Sequence, residues 1–400
     1  MPRSSNRHAQ TFAALAPLRE RLAARDDDVM RTQVTVAEVP APTGDEGARA
    51  AWLRDRFAAL GLAGVRIDEA GNVIGRRPGR RDDRPVVVCA HLDTVFPRET
   101  VLTVRREGRR FFGPGITDNG RGLAAMLAIA ECLDPRHTPL EHPVEFLGST
   151  GEEGNGDLRG AKHYFARAGE RPAAMIAVDG AGDERIIHRA LGARRFRVTF
   201  RGPGGHSWSA FGAPNAIHAA AGATARLSAI RLPADPRTTL SVGRIGGGIS
   251  VNSIPDHAWL ELDVRSTDGR QLDHTEAEVH RAIAAAVDEE NHRRAHDTPA
   301  LSVHVTRIGD RPAGETPADD PLVHAAQAMT KLVGRDPELA IASTDANVPI
   351  GLGIPAIAIG AGGKGGDAHS TTEWFENAHG TRGIARALAI VVAAAQSPPD

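Results

Sequence analysis

Short apolar runs that end in polar residues recur along this chain and predict a buried sheet. Residues 86–90 are Val-Val-Val-Cys-Ala, and they lead directly to His91 and Asp93. An uninterrupted apolar run of this length is typical of a strand that is covered on both faces. The runs at 144–149 and 175–178 have a similar apolar character. Together they predict an open α/β sheet.

Acidic side chains follow two of these strands. Glu152 and Glu153 come after the second run and are bracketed by glycines, and Asp179 follows the third. Adjacent carboxylates repel each other unless a cation or a proton offsets their charge. In open α/β sheets, ligands bind beyond the carboxyl ends of the strands. We therefore expect these acids to meet His91 at one site.

Two further candidates lie in glycine-rich loops. Asp118 precedes a predicted helix over 122–133, and the plain alternative is that it only caps that helix. His369 ends a run of glycines after a predicted strand. The i and i+2 spacing of His91 and Asp93 lets the carboxylate orient the imidazole, as is typical of metal-bound histidines.

The segment before the first long strand is predicted to be helical. Phe12 and Leu15 belong to a set of apolar residues at helical spacing, which predicts one helix over 11–37. Thr43 and Glu46 then form a capping-box pattern that is expected to open a second helix.

A change of pattern near residue 190 divides the chain. Residues 190–309 are predicted to form strands and helices in β-α-β-β-α-β order, which is the arrangement of a ferredoxin-like unit. The α/β pattern then resumes with a helix predicted over 321–333. We expect one domain built from 1–189 and 310–400, with an inserted domain over 190–309.

Composition narrows the possible functions. The 400 residues carry a formal net charge of −2, which gives no reason to propose a nucleic acid or an anionic membrane as partner. No apolar run reaches the length of about 18 residues that a membrane helix needs, so we expect a cytoplasmic protein. The two cysteines, Cys89 and Cys132, imply no disulfide framework.

Taken in order, five motifs resemble those of the dinuclear zinc exopeptidases and amidohydrolases. That family includes peptidase T, glutamate carboxypeptidase, aminoacylase, acetylornithine deacetylase and succinyl-diaminopimelate desuccinylase. The motifs are His91-x-Asp93, Asp118 before a glycine, Glu152-Glu153-x-Asn155, Asp179 at a strand end and His369 after the glycine loop. The resemblance covers nearly the whole chain. It implies a three-layer α/β/α catalytic domain with an inserted ferredoxin-like lid domain, through which two chains form a homodimer.

The resemblance also implies a role for each motif residue. Two divalent metal ions, zinc or else cobalt or manganese, would share Asp118. One ion would be held by His91, Asp118 and Asp179, and the other by Asp118, Glu153 and His369. Glu152 would act as general base, and Asp93 would support the site as a further catalytic residue.

Three residues of the inserted domain match positions at which the family binds substrate. His206, in a Gly-Gly-His motif, would reach the active site of the opposite subunit. Asn252 and Arg265 would hold the backbone or the carboxylate of the substrate. The alternatives from the residues alone are a loop-capping histidine, a turn-capping asparagine and a solvated arginine at a strand edge.

The implied activity is the hydrolysis of an amide bond in a small peptide, near a free terminus. An N-acyl or N-carbamoyl amino acid amidohydrolase on the same scaffold is the first alternative, and a non-catalytic binding protein is the second. Glu152 has no evident structural purpose, which weighs against the second. The sequence after Asp118 is Asn-Gly-Arg-Gly, whereas many relatives have x-Lys-Gly; this departure points to a peptidase T-like branch.

Overall fold

A computed structural model describes residues 2–135, 138–167 and 171–396, with side chains from residue 7 onward. Its contacts divide the chain into two compact units. The first unit contains residues 1–190 and 315–400, and the second contains residues 191–314. That these units are independent domains, with the boundaries predicted above, stays a prediction.

The first part of the chain forms the amino-terminal helices and most of the large sheet. Its elements are α1 (Pro2–Ala14), α2 (Ala16–Ala24), α3 (Asp26–Ala37), α4 (Gly47–Ala59), β1 (Ala63–Ile67), β2 (Val73–Arg77), β3 (Val86–His91), β4 (Arg105–Glu107), β5 (Arg110–Phe112), α5 (Gly120–Cys132), β6 (Val144–Ser149), α6 (Arg159–Arg167), β7 (Ala174–Val178) and β8 (Arg185–Ala190).

The single helix predicted over 11–37 is wrong, because the segment forms three helices. The first break is at Leu15, which is followed by Pro17 near the start of α2. A proline removes one helical hydrogen bond and its ring clashes with the preceding turn, so it belongs at a helix start. The second break is at Arg25, where the acidic residues 26–28 occupy the first turn of α3 and favour a new helix start there.

The predicted capping box before α4 is also wrong. Glu46 is the N-cap residue, and no side chain caps this helix. Thr43 instead donates its hydroxyl to Asp93 Oδ2 at 2.8 Å. A hydrogen bond to a buried, charged acceptor is stronger than one to a neutral group, which accounts for the preference of the hydroxyl.

The second unit is one antiparallel sheet with two helices. Its elements are β9 (Gly192–Arg201), β10 (Gly205–His206), α7 (Ala216–Ser228), β11 (Thr238–Gly247), β12 (Ser253–Ile254), β13 (His257–Ser266), α8 (Gly269–His292) and β14 (Ser302–Arg311). The strand order is β11-β13-β9-β14, and β10 and β12 form a separate two-stranded sheet. Alternate residues of β13 are buried against the apolar faces of α7 and α8. The predicted β-α-β-β-α-β order is confirmed.

The chain then completes the first unit. The remaining elements are β15 (Gly314–Glu315), α9 (Pro321–Leu332), β16 (Glu338–Ala342), α10 (Asn347–Gly351), β17 (Ala356–Ile359), β18 (Lys364–Gly366), β19 (Trp374–Glu376) and α11 (Arg382–Gln396). The strands β18-β19-β5-β4 form a small sheet of their own.

The large sheet of the first unit has the order β1-β2-β6-β3-β7-β17-β8-β15, with β16 beside β8. Strands β6, β3, β7 and β17 are parallel neighbours. Along β3, Val86 and Val88 pack in one apolar core, whereas Val87 and Cys89 pack in another on the opposite face. Helices cover both faces, so the predicted three-layer α/β/α class is confirmed. In the described ranges, no helix is both long and apolar enough to cross a membrane.

Candidate metal centre

Parallel pairing brings the predicted site residues to one edge of the sheet. His91 is the last residue of β3 and pairs with Ser149 at the end of β6. The loop after β6 carries the two adjacent glutamates, and Asp179 directly follows β7. Because β3, β6 and β7 run in the same direction, their carboxyl ends open on the same crevice.

His91 is buried and directs one ring nitrogen at the acids. Its Nε2 lies 2.9 Å from Asp118 Oδ1 and 3.9 Å from Asp179 Oδ1. Its Nδ1 lies 3.0 Å from the backbone carbonyl oxygen of Asp93 and 3.6 Å from the carboxylate of that residue. The carbonyl is thus the nearer partner, and an N–H donated to it from Nδ1 leaves Nε2 as the ligand atom.

The buried Asp93 carboxylate holds the loop that carries both glutamates. Its Oδ1 accepts the amide hydrogen of Glu152 at 2.9 Å, and its Oδ2 accepts that of Glu153 at 3.0 Å. Burial raises the pKa of Asp93, but the nearby imidazole of His91 and the hydrogen bonds from the two amides outweigh it and lower the pKa to about 2. Asp93 is therefore ionised, and it couples the ends of β3 and β6.

Asp118 lies between two histidines that are far apart in sequence. His369 Nε2 is 3.1 Å from Asp118 Oδ2 and 3.0 Å from Glu153 Oε1. The other oxygen of Asp118, Oδ1, faces His91. Each carboxylate oxygen of Asp118 thus meets a different imidazole, which is the geometry that a bridging ligand requires. The structure brings all five predicted ligands together.

The cluster contains three carboxylates and two imidazoles, so its negative charge is not fully offset. Burial and, after it, the neighbouring Asp118 together raise the pKa of Asp179 to about 7. Burial also raises the pKa of Glu153. For Asp118, burial acts in the same direction, but hydrogen bonds with both histidines outweigh it and lower the pKa. A cation in the cluster would relieve this repulsion.

The donor set fits divalent metal ions. Two imidazoles and three carboxylates are ligands that zinc, cobalt and manganese accept. Ligand atoms about 2.1 Å from a tetrahedral ion lie roughly 3.4 Å from one another, close to the spacings in the cluster. His91, Asp118 and Glu153 can each offer an atom within 4.8 Å of the others.

Glu152 is buried next to these ligands. The backbone amide of Glu152 donates a hydrogen bond to Asp93. This contact fixes the backbone position of Glu152. Its predicted role as general base stays a prediction, as do the individual ligand roles.

Sequence reasoning did not identify Glu373, which is fully buried beside the site. Its Oε1 accepts the amide hydrogens of Thr117 at 2.7 Å and of Asp118 at 2.9 Å. Burial raises the pKa of Glu373 to about 7, and the nearby Asp118 acts in the same direction. Its partners lie some 255 positions away in the chain, so no local motif marks it.

Asp345 is a second buried acid close to the strand ends. Its Oδ2 accepts hydrogen bonds from the hydroxyl of Ser149 and from the thiol of Cys89 at 3.4 Å. Burial raises the pKa of Asp345. Through these two hydrogen bonds, Asp345 connects β3 to β6 near their carboxyl ends.

The three predicted substrate-binding residues all belong to the second unit. His206 is exposed, and its Nδ1 accepts the amide hydrogen of Trp208 at 3.2 Å, as a loop-capping histidine does. Asn252 lies in an exposed turn. Arg265 donates from Nε to Asp263 Oδ1 at 2.8 Å. Contacts of these residues with a substrate stay predictions.

The α/β/α fold and the cluster of histidines and carboxylates define a metal-dependent hydrolase. The sequence profile of peptidase family M20/M25/M40 matches residues 87–396. The chain belongs to this family, and the resemblance drawn from its motifs is confirmed.

Known relatives agree with this assignment. The succinyl-diaminopimelate desuccinylase of Corynebacterium glutamicum is 28% identical over 253 residues, which cover 62% of this chain and 68% of that protein. The crystal structure of aminopeptidase PepT from Bacillus cereus aligns with a TM-score of 0.71 and 24% identity, over 93% of this chain and 98% of that one. A Bacillus subtilis protein described as a dinuclear metal-binding peptidase of the M20 family aligns with a TM-score of 0.67 and 16% identity, over 94% and 99%. At these identities the two structures show a common fold.

Proposed function

We propose that this protein hydrolyses an amide or peptide bond near a free terminus of a small substrate, with two divalent metal ions. The observation that carries this proposal is the position of Asp118, whose two carboxylate oxygens face two different histidines. A carboxylate shared in this way suits two ions set side by side. Zinc is the proposed metal, since its usual ligands are those of the cluster, and cobalt and manganese are the alternatives.

Each residue of the cluster has a defined task in this mechanism. When bound, the ions supply Lewis acidity that lowers the pKa of a water molecule to about 7 and polarises the scissile carbonyl. His91 and Asp179 would hold one ion, Glu153 and His369 would hold the other, and Asp118 would contribute to both. Glu152 accepts the proton of the attacking water and returns it to the leaving amine.

Asp93 fixes the position of the loop that carries Glu152 and Glu153. It accepts hydrogen bonds from the amides of Glu152 and Glu153. The proposed base and the proposed ligand next to it therefore belong to one loop that Asp93 holds in place. Adjacent residues of an extended segment point in different directions. Glu153 can therefore face the ions while Glu152 faces the water.

The likeness to an aminopeptidase structure and the departure from x-Lys-Gly after Asp118 support a peptidase T-like exopeptidase. The Corynebacterium relative bears the name of a desuccinylase, and this favours a second candidate, the release of an N-acyl group from an amino acid. Both reactions break an amide bond in a small molecule and use the same cluster.

We further propose that His206 serves the active site of a partner subunit in a homodimer. The motif that contains it lies in the inserted unit, away in sequence from all proposed ligands. A donor to the developing oxyanion typically contributes about 3–4 kcal/mol to the transition state. Asn252 and Arg265 are proposed to contact the substrate.

A substrate panel tests the proposed activity. Purified protein is assayed on dipeptides, tripeptides, and N-acetyl and N-succinyl amino acids, before and after removal of metal by a chelator. We expect hydrolysis of one class, its loss with the chelator and its return on addition of zinc, cobalt or manganese. Turnover that persists in metal-free protein, or no turnover of any class by metal-loaded protein, would contradict the proposal.

A further inference from the structure

We propose that Glu373 is a positioning residue that holds the Asp118 loop against the His369 loop before any metal ion binds. This inference rests on the proposed metal centre, because its purpose is to preset the separation of two of the ligands. Glu373 follows His369 by four positions and is fully buried. No motif of the family resemblance accounted for it.

The carboxylate of Glu373 is bound on both oxygens. Its Oε1 accepts the amide hydrogens of Thr117 at 2.7 Å and of Asp118 at 2.9 Å, and its Oε2 accepts that of Gly115 at 3.0 Å. The backbone carbonyl of Glu373 accepts a fourth, from Gly113 at 2.9 Å. These four contacts fix the loop in position relative to Glu373.

The Asp118 loop needs such an acceptor because its amides are buried outside any strand. Residues 113–117 are all buried, and α5 does not begin until Gly120. A buried amide without an acceptor costs free energy comparable to a lost hydrogen bond. Glu373 supplies the acceptors that a neighbouring strand would supply in a sheet. Without it, the loop would have to move to reach water or other partners.

The same residue restrains the histidine side of the pair. His369 has a backbone φ of 65°, a left-handed conformation that is uncommon for residues other than glycine. Such a conformation persists only where the surrounding structure determines it. The backbone amide of Glu373 donates to the carbonyl oxygen of Ser370 at 3.1 Å. The backbone amide of Ser370 in turn donates to the carbonyl oxygen of Asp367 at 3.1 Å. A short turn thus connects the strained histidine to the anchored carboxylate.

Arg121 adds a second connection between the two loops. It is fully buried in the first turn of α5, and its Nε donates to the carbonyl of Ala361 at 2.9 Å. Its guanidinium also lies 4.9 Å from the ring centre of Phe375. Ala361 precedes the His369 loop and Phe375 follows it, so Arg121 and Glu373 hold that loop from both sides.

The test compares zinc binding by metal-free wild-type protein and the Glu373→Gln variant, using calorimetric titration with zinc chloride. The variant keeps the size of the side chain but places an NH₂ group where an oxygen accepted an amide hydrogen. We expect the ion held by Asp118, Glu153 and His369 to bind about 10–100-fold more weakly, the usual effect of losing a group that orients a ligand. The other ion should be affected less.

Glu376→Gln is the matched control, because Glu376 lies three positions after Glu373. Its Oε1 lies 3.4 Å from Nε of the exposed Arg109. This variant should bind both ions as the wild type does. Two unchanged binding steps in Glu373→Gln would overturn the inference. So would an equal weakening of both steps with a lower melting temperature of the metal-free variant, since Glu373 would then only stabilise the fold. Wild-type protein that takes up no zinc would instead refute the proposed metal centre itself.

Hydrogen exchange of the wild-type protein gives a test that does not depend on the variant. The amide hydrogens of Gly115, Thr117 and Asp118 should be protected in the metal-free protein, because Glu373 accepts them without an ion. Exchange at the rate of open loops, with protection that appears only on addition of zinc, would show that the ions and not Glu373 order this loop.

Discussion

Asp118 is the residue on which the proposed metal centre depends most, because each of its carboxylate oxygens faces a different histidine. Its two oxygens lie 2.9 Å from Nε2 of His91 and 3.1 Å from Nε2 of His369, which belong to the two separate sequence segments of the first unit. In the proposed site, removing its charge would therefore disturb both ions, whereas each of the other proposed ligands would serve only one. The neighbouring glutamates are proposed to have one role each, with Glu152 as the base and Glu153 as a metal ligand.

The first prediction concerns those glutamates. Glu152→Gln should keep both metal ions but lose roughly 10²–10⁴-fold in kcat, because the amide cannot accept the proton of the attacking water. Glu153→Gln should instead lose metal, since it removes a charged ligand. Metal analysis and steady-state kinetics of both variants provide the measurement.

Each of the two variants serves as the control of the other. Near-normal turnover in Glu152→Gln would refute the assignment of the base. Loss of metal from both variants to the same degree would show that the two carboxylates are not specialised.

At the scale of elements, sequence and structure agree where strands are buried on both faces. The runs that became β3, β6 and β7 are mostly apolar, with Glu145 as the interior exception in β6. Burial on both sides favours such apolar runs. The strands β4, β5, β18 and β19 have three residues each, too few for any period to appear. The strands β4 and β5 pair with each other, as do β18 and β19. The two hairpins are joined through β5 and β19, whose residues lie more than 250 positions apart.

The same reasoning separates the site residues that sequence could and could not reveal. The five proposed ligands lie at strand ends or in glycine-containing loops, so the local sequence pattern identifies them. Glu373 and Asp345 act through partners distant in the chain, and only the fold brings those partners together. Thr43 was misassigned for the same reason, because its hydroxyl binds Asp93 across 50 positions.

The second prediction tests the two-sided burial of β3. Val88→Ala should lower the free energy of unfolding by roughly 2–3 kcal/mol, since its side chain is fully buried in a close-packed core and leaves a cavity. Val101→Ala is the control, because Val101 is 77% exposed, and surface changes usually stay within about 0.5 kcal/mol. Denaturant unfolding measures both.

A loss in Val88→Ala no larger than that in Val101→Ala would show that β3 is not enclosed by the two helical layers.

At the scale of the whole molecule, the proposal places part of each active site on a second chain. The His206→Ala and Glu152→Gln proteins should each be nearly inactive. Mixed under conditions that exchange subunits, they should recover a fraction of wild-type activity, because one site of each heterodimer has both residues intact. The measurement is activity against time of mixing, with sedimentation to follow the dimer.

Mixing either inactive variant with itself is the control and should restore nothing. If exchange is demonstrated and no activity returns, His206 serves its own chain or has no catalytic part.

The most direct test of the central claim is the metal content of the purified protein. Wild-type protein should hold two divalent ions per chain by elemental analysis, and His369→Ala should lose the ion that depends on His369 while retaining most of the other. The variant should also lose most of its activity. A wild-type protein with no bound ion after zinc loading, or a His369→Ala protein with both ions and full activity, would contradict the dinuclear site.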